Sequence, residues 1–580
     1  MKKMLLGMLV AVAMIFAASC GGVDPPVHQA EPGVQQEAAG TAPTPAVGEV
    51  PQPGRGIDYI NWDEHVTFTW FMISTPSNDF FTSYNDEPVA NYLMYRFNVT
   101  FDFQQAVVGT EADALALMMG SGNFTDAIHL GPFAGNVPQL YEDGIIVDIA
   151  QWLDYMPNFR RLLEDPDVAR RAMDDNGRIL MLPSITDEPG YAFAGLVYRH
   201  DILETMTGGN VQFPSGNEMP TTIADWEYML PLFLEFFQMA GFADFAPLIL
   251  PAGGVFHFGP LMNSFGAYHE FFVRDGVVYA GIMQPEFFDY VYTMRRWFEN
   301  GWIHQDFATR VGDMFFMPNP PLVFGGAAGA FYGMIMHLGD RLSMPDFGMY
   351  VEIRPMPSPM AEGITHRDML RRRADEFGES PRHTAVSTSN PDIGRFLAVI
   401  DHMYSWEQAP MKAFGLRGDQ IPPGFDILDR MGMPEGSQIT DATGNPAPHP
   451  NLSIAGGTIT DSSINGIRLP GVMAHSLSNA MRDAETVAAH AAWTAQDAVS
   501  EIRMLPLQLS PTVAETAILT SNDAHISDLR DQMLIRFIMG TEPLNEATWN
   551  EFLNQLRAFG IEESRDIWQA AYDRFLVRGQ

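Results

Sequence analysis

Between residues 66 and 142 the chain alternates three times between strand-type and helix-type segments, and that order fits a parallel sheet flanked by helices. VTFTWFM (66–72) is β-rich and mostly apolar, as a buried strand is. Asp86, Glu87 and Pro88 then open VANYLMYRF, and Pro88 suits the first helical position, where no N–H is needed. NVTFDFQQ is the next strand. Thr110 with Asp113 predicts a capping box for EADALALMM, which Gly120 ends. FTDAIHL and VPQLYEDG complete the pattern as a short strand and a short helix.

Later segments keep the mixed character. Asn176-Gly177, set between the apolar runs of DDNGRILMLPS, predicts a hairpin. AGLVYRHDIL reads as a strand running into a helix, and Pro220, Thr222 and Asp225 cap a helix in MPTTIADWEYML. In PEFFDYVYTMRRWFENG (285–301), Phe287, Tyr290, Val291, Met294, Trp297 and Phe298 recur at helical spacing, and Gly301 stops the helix. GGAAGAFYG (325–333) reads as a tight turn beside a strand. YVEIRPMPSP is a further strand, followed by a charged loop through Arg382. Asn390-Pro391 leads into the helix DIGRFLAVIDHMYSWE, and the last sixty residues predict three helices.

The chain begins MKKMLLGMLVAVAMIFAASCGG, which holds the single cysteine of 580 residues. Residues 4–18 are apolar and uncharged, shorter than the roughly 20 residues a membrane span needs but suited to a secretory leader. Ala17, Ala18 and Ser19 lead into Cys20 and resemble a bacterial lipobox. The resemblance implies cleavage before a lipidated Cys20, whose acyl chains each add about 0.8 kcal/mol per buried methylene. An ordinary secretory leader whose cleavage site happens to include Cys20 is the alternative. Residues 21–56 are rich in Pro, Gly, Ala and Gln, bury too little to offset ordering entropy, and predict a disordered tether. Such a coil spans roughly 30–35 Å.

A formal net charge of −37 repels phosphate backbones, which argues against nucleic acid and disfavours a strongly anionic ligand. HExxH, a Gly-x-Ser-x-Gly elbow and a Walker loop are missing from the sequence. His257 and His269 are a weak metal pair. Neither a metal nor another cofactor is expected.

The order of motifs resembles the extracellular solute-binding proteins of ABC transporters, family 1, of the large sugar-binding lipoprotein type. The carrying segments are DALALMMGSGNFTDAIHL, YEDGIIVDIAQWLD, DDNGRILMLPS, VYRHDILETM, MPTTIADWEYML, FENGWIHQDF and TSNPDIGRFLAVIDHMYS. The resemblance implies an α/β, two-lobe periplasmic-binding-protein type II fold with a hinge and a helical C-terminal region. Residues 1–19 are then the leader and 20–57 the tether. The first lobe takes 58–193 and 354–412, and the second 194–353 and 413–580, with crossings near GLVYR and IRPMPSP. The implied function is capture of a carbohydrate, an oligosaccharide in the first instance, by lobe closure, and delivery to the permease subunits of an importer. The protein is then a non-enzymatic monomer tied to the extracytoplasmic face of a membrane through Cys20. A peptide receptor and a surface glycosidase or adhesin are the alternatives. Two segments depart from the family pattern. MAGFADFAPLIL lacks the alternating oxygen ligands of the relatives' calcium-binding loop, and GLRGD places Arg417 where an acid is usual.

A sugar offers an apolar ring face and a rim of hydroxyls, so its site needs aromatic plates and planar hydrogen-bonding groups. The candidates at predicted strand ends and loops are Trp70, Phe71, Asp126, Tyr198, Arg199, Asn263, Phe265 and Tyr332. Five of them have a structural rival: core packing for Trp70 or Phe71, helix capping for Asp126, hinge packing for Tyr198 and Arg199.

Overall fold

The computed structural model describes residues 53–578, except 74–83, 108, 134, 193, 251–259, 310–320, 344–347, 349, 372–383, 415–452, 455–456, 459–468 and 481. The leader, Cys20, most of the tether, His257 and Arg417 lie outside the described residues.

In chain order, β1 (Val66–Met72), α1 (Pro88–Phe97), β2 (Val99–Gln105), α2 (Glu111–Ser121), β3 (Ala127–His129) and α3 (Val137–Glu142) carry the alternation seen in the sequence. There follow β4 (Ala194–Arg199), α4 (Ile223–Ala240), β5 (Ala246–Leu248), α5 (Glu286–Glu299), β6 (Ala328–Met334), β7 (Ile353–Pro355), β8 (Thr384–Val386) and α6 (Ile393–Asp401). The C-terminal helices are α7 (Val513–Met539), α8 (Glu546–Ala558) and α9 (Ile561–Leu576).

Two four-stranded sheets define the two lobes. The first has the order β8-β3-β1-β2, with β1 parallel to both neighbours and β8 antiparallel at the edge. The second has the order β7-β4-β6-β5, with β5 parallel to β6 and the other pairs antiparallel. Alternation along β1 sends Phe68, Trp70 and Met72 into one core layer and Phe71 into another, so both faces of the first sheet are covered. The second lobe packs Trp226 of α4 on Trp297 of α5, ring centroids 5.8 Å apart and planes 11° from parallel. The helix α7 packs on α5, which ties the C-terminal helices to the second lobe.

Several local expectations change. The capping box at Thr222 and Asp225 forms. Thr110 instead donates its hydroxyl to the Val107 carbonyl, and α2 runs through Gly120 to a left-handed Gly122. At Asn176-Gly177 the Asp174 carboxylate ties the turn by accepting from Asn176 and Arg178 N–H, and Asp174 N–H donates to the Arg178 carbonyl, but no strand ladder extends beyond that bond. Ile179 bonds Ile149, and Leu182 bonds Thr384, because partners distant in sequence outcompete the hairpin. The glycine run enters β6 itself. A Cβ on Gly329 would lie 2.4 Å from the Phe233 ring, so the residue is glycine to let α4 approach the sheet.

The crossing expected near IRPMPSP also differs. Residues 353–355 pair within the second sheet, and Leu370-Arg371 pairs with Ile502–Met504, itself paired to Phe271–Arg274 of the second lobe. Leu469, Val472 and Ala474 pack in the first core, and Gly471–Met473 pairs with Ser184–Thr186. The described segments on either side of 187–192, of 372–383 and of 476–480 therefore pair or pack with different sheets.

Candidate ligand-binding cleft

In an open parallel sheet, ligands bind beyond the carboxyl ends of the strands, where loops can present side chains without breaking the ladder. Here β3 ends at His129, and residues 130–136 lead to α3. That loop forms one wall of a cavity of about 450 Å³ whose other wall is α7 and α9. Leu130, Phe133, Asn136, Asp174 and Arg178 come from the first lobe; Leu519, Asp523 and Trp568 come from the helices packed on the second. Gly135 permits the loop's turn, since a Cβ there would meet the Phe133 ring at 2.5 Å.

Polar groups bridge the walls beside the cavity. Asn136 caps α3 by accepting from Gln139 N–H at 3.0 Å, while its amide donates to the Pro511 carbonyl at 3.0 Å and to Thr516 Oγ1 at 2.8 Å. Asp175 accepts from Arg574 Nε at 2.7 Å and Arg578 Nε at 2.6 Å. Arg574 also donates to Glu515 at 2.7 Å. Burial opposes the Arg574 charge, but its bonds to Glu515 and Asp175 outweigh that and raise its pKa. On the first-lobe wall, Arg178 is held between Asp174 and Glu142, each at 2.7 Å, and lies 4.8 Å from the Tyr141 ring centroid.

A second cavity, of about 570 Å³, is bordered by Glu188 and Tyr191, Arg371, and Asn479. Tyr191 stacks on His490 with centroids 4.0 Å apart, and Asn479 donates to Glu188 at 2.7 Å. The segments around Glu188 and Asn479 are thus bonded side by side.

None of the eight ligand candidates lines either cavity. Trp70 lies among Phe101, Phe103 and Phe396, and Phe71 packs against Ile128 and Leu115. Asp126 sits at the amino end of β3, where it accepts from Thr69 N–H at 2.7 Å and Thr69 Oγ1 at 2.9 Å, joining β1 to β3. Tyr198 is fully buried, which pushes its hydroxyl up to about 12. Arg199 forms a two-point pair with Asp201 and donates to the Gly326 carbonyl. Asn263 bonds both main-chain groups of Leu370 and so pins that strand. Phe265 packs edge-on to Tyr290 in the second core, and Tyr332 donates to the Ala194 carbonyl at 3.5 Å from the middle of β6. The first cavity is lined instead by Phe133, Asn136, Asp523 and Trp568, among others. The strand-end rule reaches the first two from sequence; the helical pair looks like ordinary amphipathic surface.

No family model matches the chain, and no curated protein matches it by sequence. Solved structures do match in shape. An HMO-binding ABC-transporter-associated solute-binding protein from Bifidobacterium longum infantis aligns with a TM-score of 0.64 at 18% identity, over 88% of this chain and 99% of its own. The fold is that of solute-binding proteins. An S. pneumoniae ABC-transporter substrate-binding protein, FusA, in complex with kestose gives 0.65 at 17% identity over 88% and 99%. The alginate-binding protein AlgQ2 without calcium ion gives 0.61 at 18% identity over 88% and 98%. The solute-binding-protein fold thus covers 88% of the chain.

Proposed function

We propose that the chain is the substrate-binding lipoprotein of an ABC importer, which captures a carbohydrate, most simply an oligosaccharide, and delivers it to the permease. The observation that carries this reading is a cavity walled on one side by the loop after β3 and on the other by α7 and α9. A ligand there stabilises the closed arrangement only through contacts to both walls at once. The volume of about 450 Å³ falls within the range of small-molecule sites, and Phe133 and Trp568 supply ring faces beside the polar groups of Asn136 and Asp523. Relatives of the same fold bind HMO and kestose, which supports a saccharide ligand. Lipidated Cys20 holds the protein on the extracytoplasmic face, and the protein catalyses nothing.

A thermal-shift screen of oligosaccharides and peptides tests the reading, because a ligand bound only by the folded state raises the melting temperature. An oligosaccharide is expected to respond, and Trp568→Ala to weaken it by about tenfold through loss of one aromatic contact. A response to peptides alone, or cleavage of the responding sugar, overturns it.

A further inference from the structure

We propose that Asp523 is the residue by which the cleft selects its sugar, accepting hydrogen bonds from hydroxyls of a neutral oligosaccharide and turning away sugars that carry acid groups. This rests on the reading of the chain as an oligosaccharide receptor.

Thr516, Leu519, Thr520 and Asp523 form one face of α7, at spacings of three, one and three residues, and all four line the cavity. Every other charged side chain of the lining has a protein partner. Asp174 accepts from Arg178 and from the N–H of Asn176; Arg178 is held by Asp174 and Glu142; Arg171 donates to the Asp167 carbonyl. No hydrogen bond from a described residue reaches the Asp523 carboxylate. The Asp523 carboxylate is half-buried and lines the cavity beside Trp568 and Phe133, so it is placed to accept hydrogen bonds from a ligand there. Sugar hydroxyls donate such bonds, and a carboxylate accepts from two in a fixed plane.

The charged groups around Asp523 decide the sign. Burial pushes it up to about 6, Glu270 adds to that, and Arg530 on the same helix opposes it. Arg530 is itself bonded to Asp531. Across the cavity stand Arg171, Asp174 and Arg178, with Arg178 already held by two acids. An acidic sugar would place a second carboxylate near Asp523 with Arg171 as the one cation lacking an acidic partner. Hydroxyl donors favour the ionised carboxylate, so ligand binding lowers its pKa and affinity rises with pH through the region near 6.

The test is calorimetric titration of the full chain with neutral fructo-, malto-, xylo- and galacto-oligosaccharides and with oligogalacturonates, at pH 5 and pH 7.5. At least one neutral sugar is expected to bind about tenfold more tightly at pH 7.5, and oligogalacturonates are expected not to bind. Asp523→Asn is expected to weaken the neutral sugar by about tenfold at pH 7.5 and to abolish the pH dependence. Wild-type binding of oligogalacturonate, or a neutral sugar whose affinity ignores both pH and Asp523→Asn, overturns the proposal while the receptor reading stands. Binding of no sugar of either class removes both.

Discussion

Arg578, just beyond the last helix of the second lobe, donates through Nε to Asp175 of the first lobe at 2.6 Å. The guanidinium also donates to the carbonyls of Met173 at 3.1 Å and Gln508 at 2.6 Å, and the residue is only 5% exposed. Arg574 donates to the same carboxylate. One acid thus holds two cations from the C-terminal end of the chain.

Asp175→Ala leaves a buried guanidinium without its counter-charge, which costs about 3 kcal/mol at such sites. The expected result is a lower denaturation midpoint and, because the contact joins the lobes, a larger radius of gyration without ligand. X-ray scattering with an unchanged radius would show that the pair does not hold the cleft closed.

Stability between pH 4 and 6.5 is set partly by the buried Asp401 and His337 and the half-buried His402. Asp401 accepts from the N–H groups of Asn158 at 3.0 Å and Phe159 at 2.8 Å, yet burial outweighs those bonds and raises it to about 6. A raised carboxyl favours the folded state at low pH, and that contribution is lost as pH rises from about 4 to 6. His337 and His402 are lowered to about 4 by burial, with Arg96 adding to the effect at His402. Their contribution is present above about pH 6.5 and is lost as pH falls toward 4. Each group changes stability by at most about 1.4 kcal/mol per pH unit. Denaturant titrations should therefore show His402→Gln flattening the acid limb and Asp401→Asn steepening it.

Gly329→Ala tests how tightly α4 sits on the second sheet. The new Cβ would meet the Phe233 ring at 2.4 Å and the Pro247 carbonyl at 2.7 Å. Overpacking of this kind costs about 1–3 kcal/mol. A variant that melts with the wild type would mean the helix yields freely.

Arg395 on α6 is 1% exposed and ties the entry of β1 to the end of α1. It donates to the carbonyls of Asn61 at 3.0 Å, Phe97 at 3.3 Å and Asn98 at 3.1 Å, and bonds Glu64 as well. Burial lowers its pKa. Lysine keeps the charge but not the fork of donors. Arg395→Lys is expected to cost about 1–3 kcal/mol through unsatisfied carbonyls and to speed hydrogen exchange at residues 61–66. Unchanged exchange there would remove the residue from this role.

Reading from sequence succeeded where one segment contains its own instructions. The stripe Phe287, Tyr290, Val291, Met294 and Trp297 is buried as its spacing requires, and Thr222 with Asp225 caps α4. It failed where two segments compete for the same backbone groups, as at Asn176-Gly177, or where small residues serve a neighbour, as at Gly329. Trp70 and Phe265 have the chemistry of a sugar plate but pack in the cores, because core and cleft draw on the same side chains.

The sequence by itself determined the alternating strands and helices, the cap at Thr222 and the overall resemblance, because periodicity and capping act over a few residues. Only the tertiary structure decided where the lobes exchange chain and which residues meet at the cleft. Phe133, Asp174, Asp523 and Trp568 are hundreds of positions apart at the extremes, and their proximity is created by the packing of α7 and α9 and by the bonds of Asp175 and Asn136 across the two lobes.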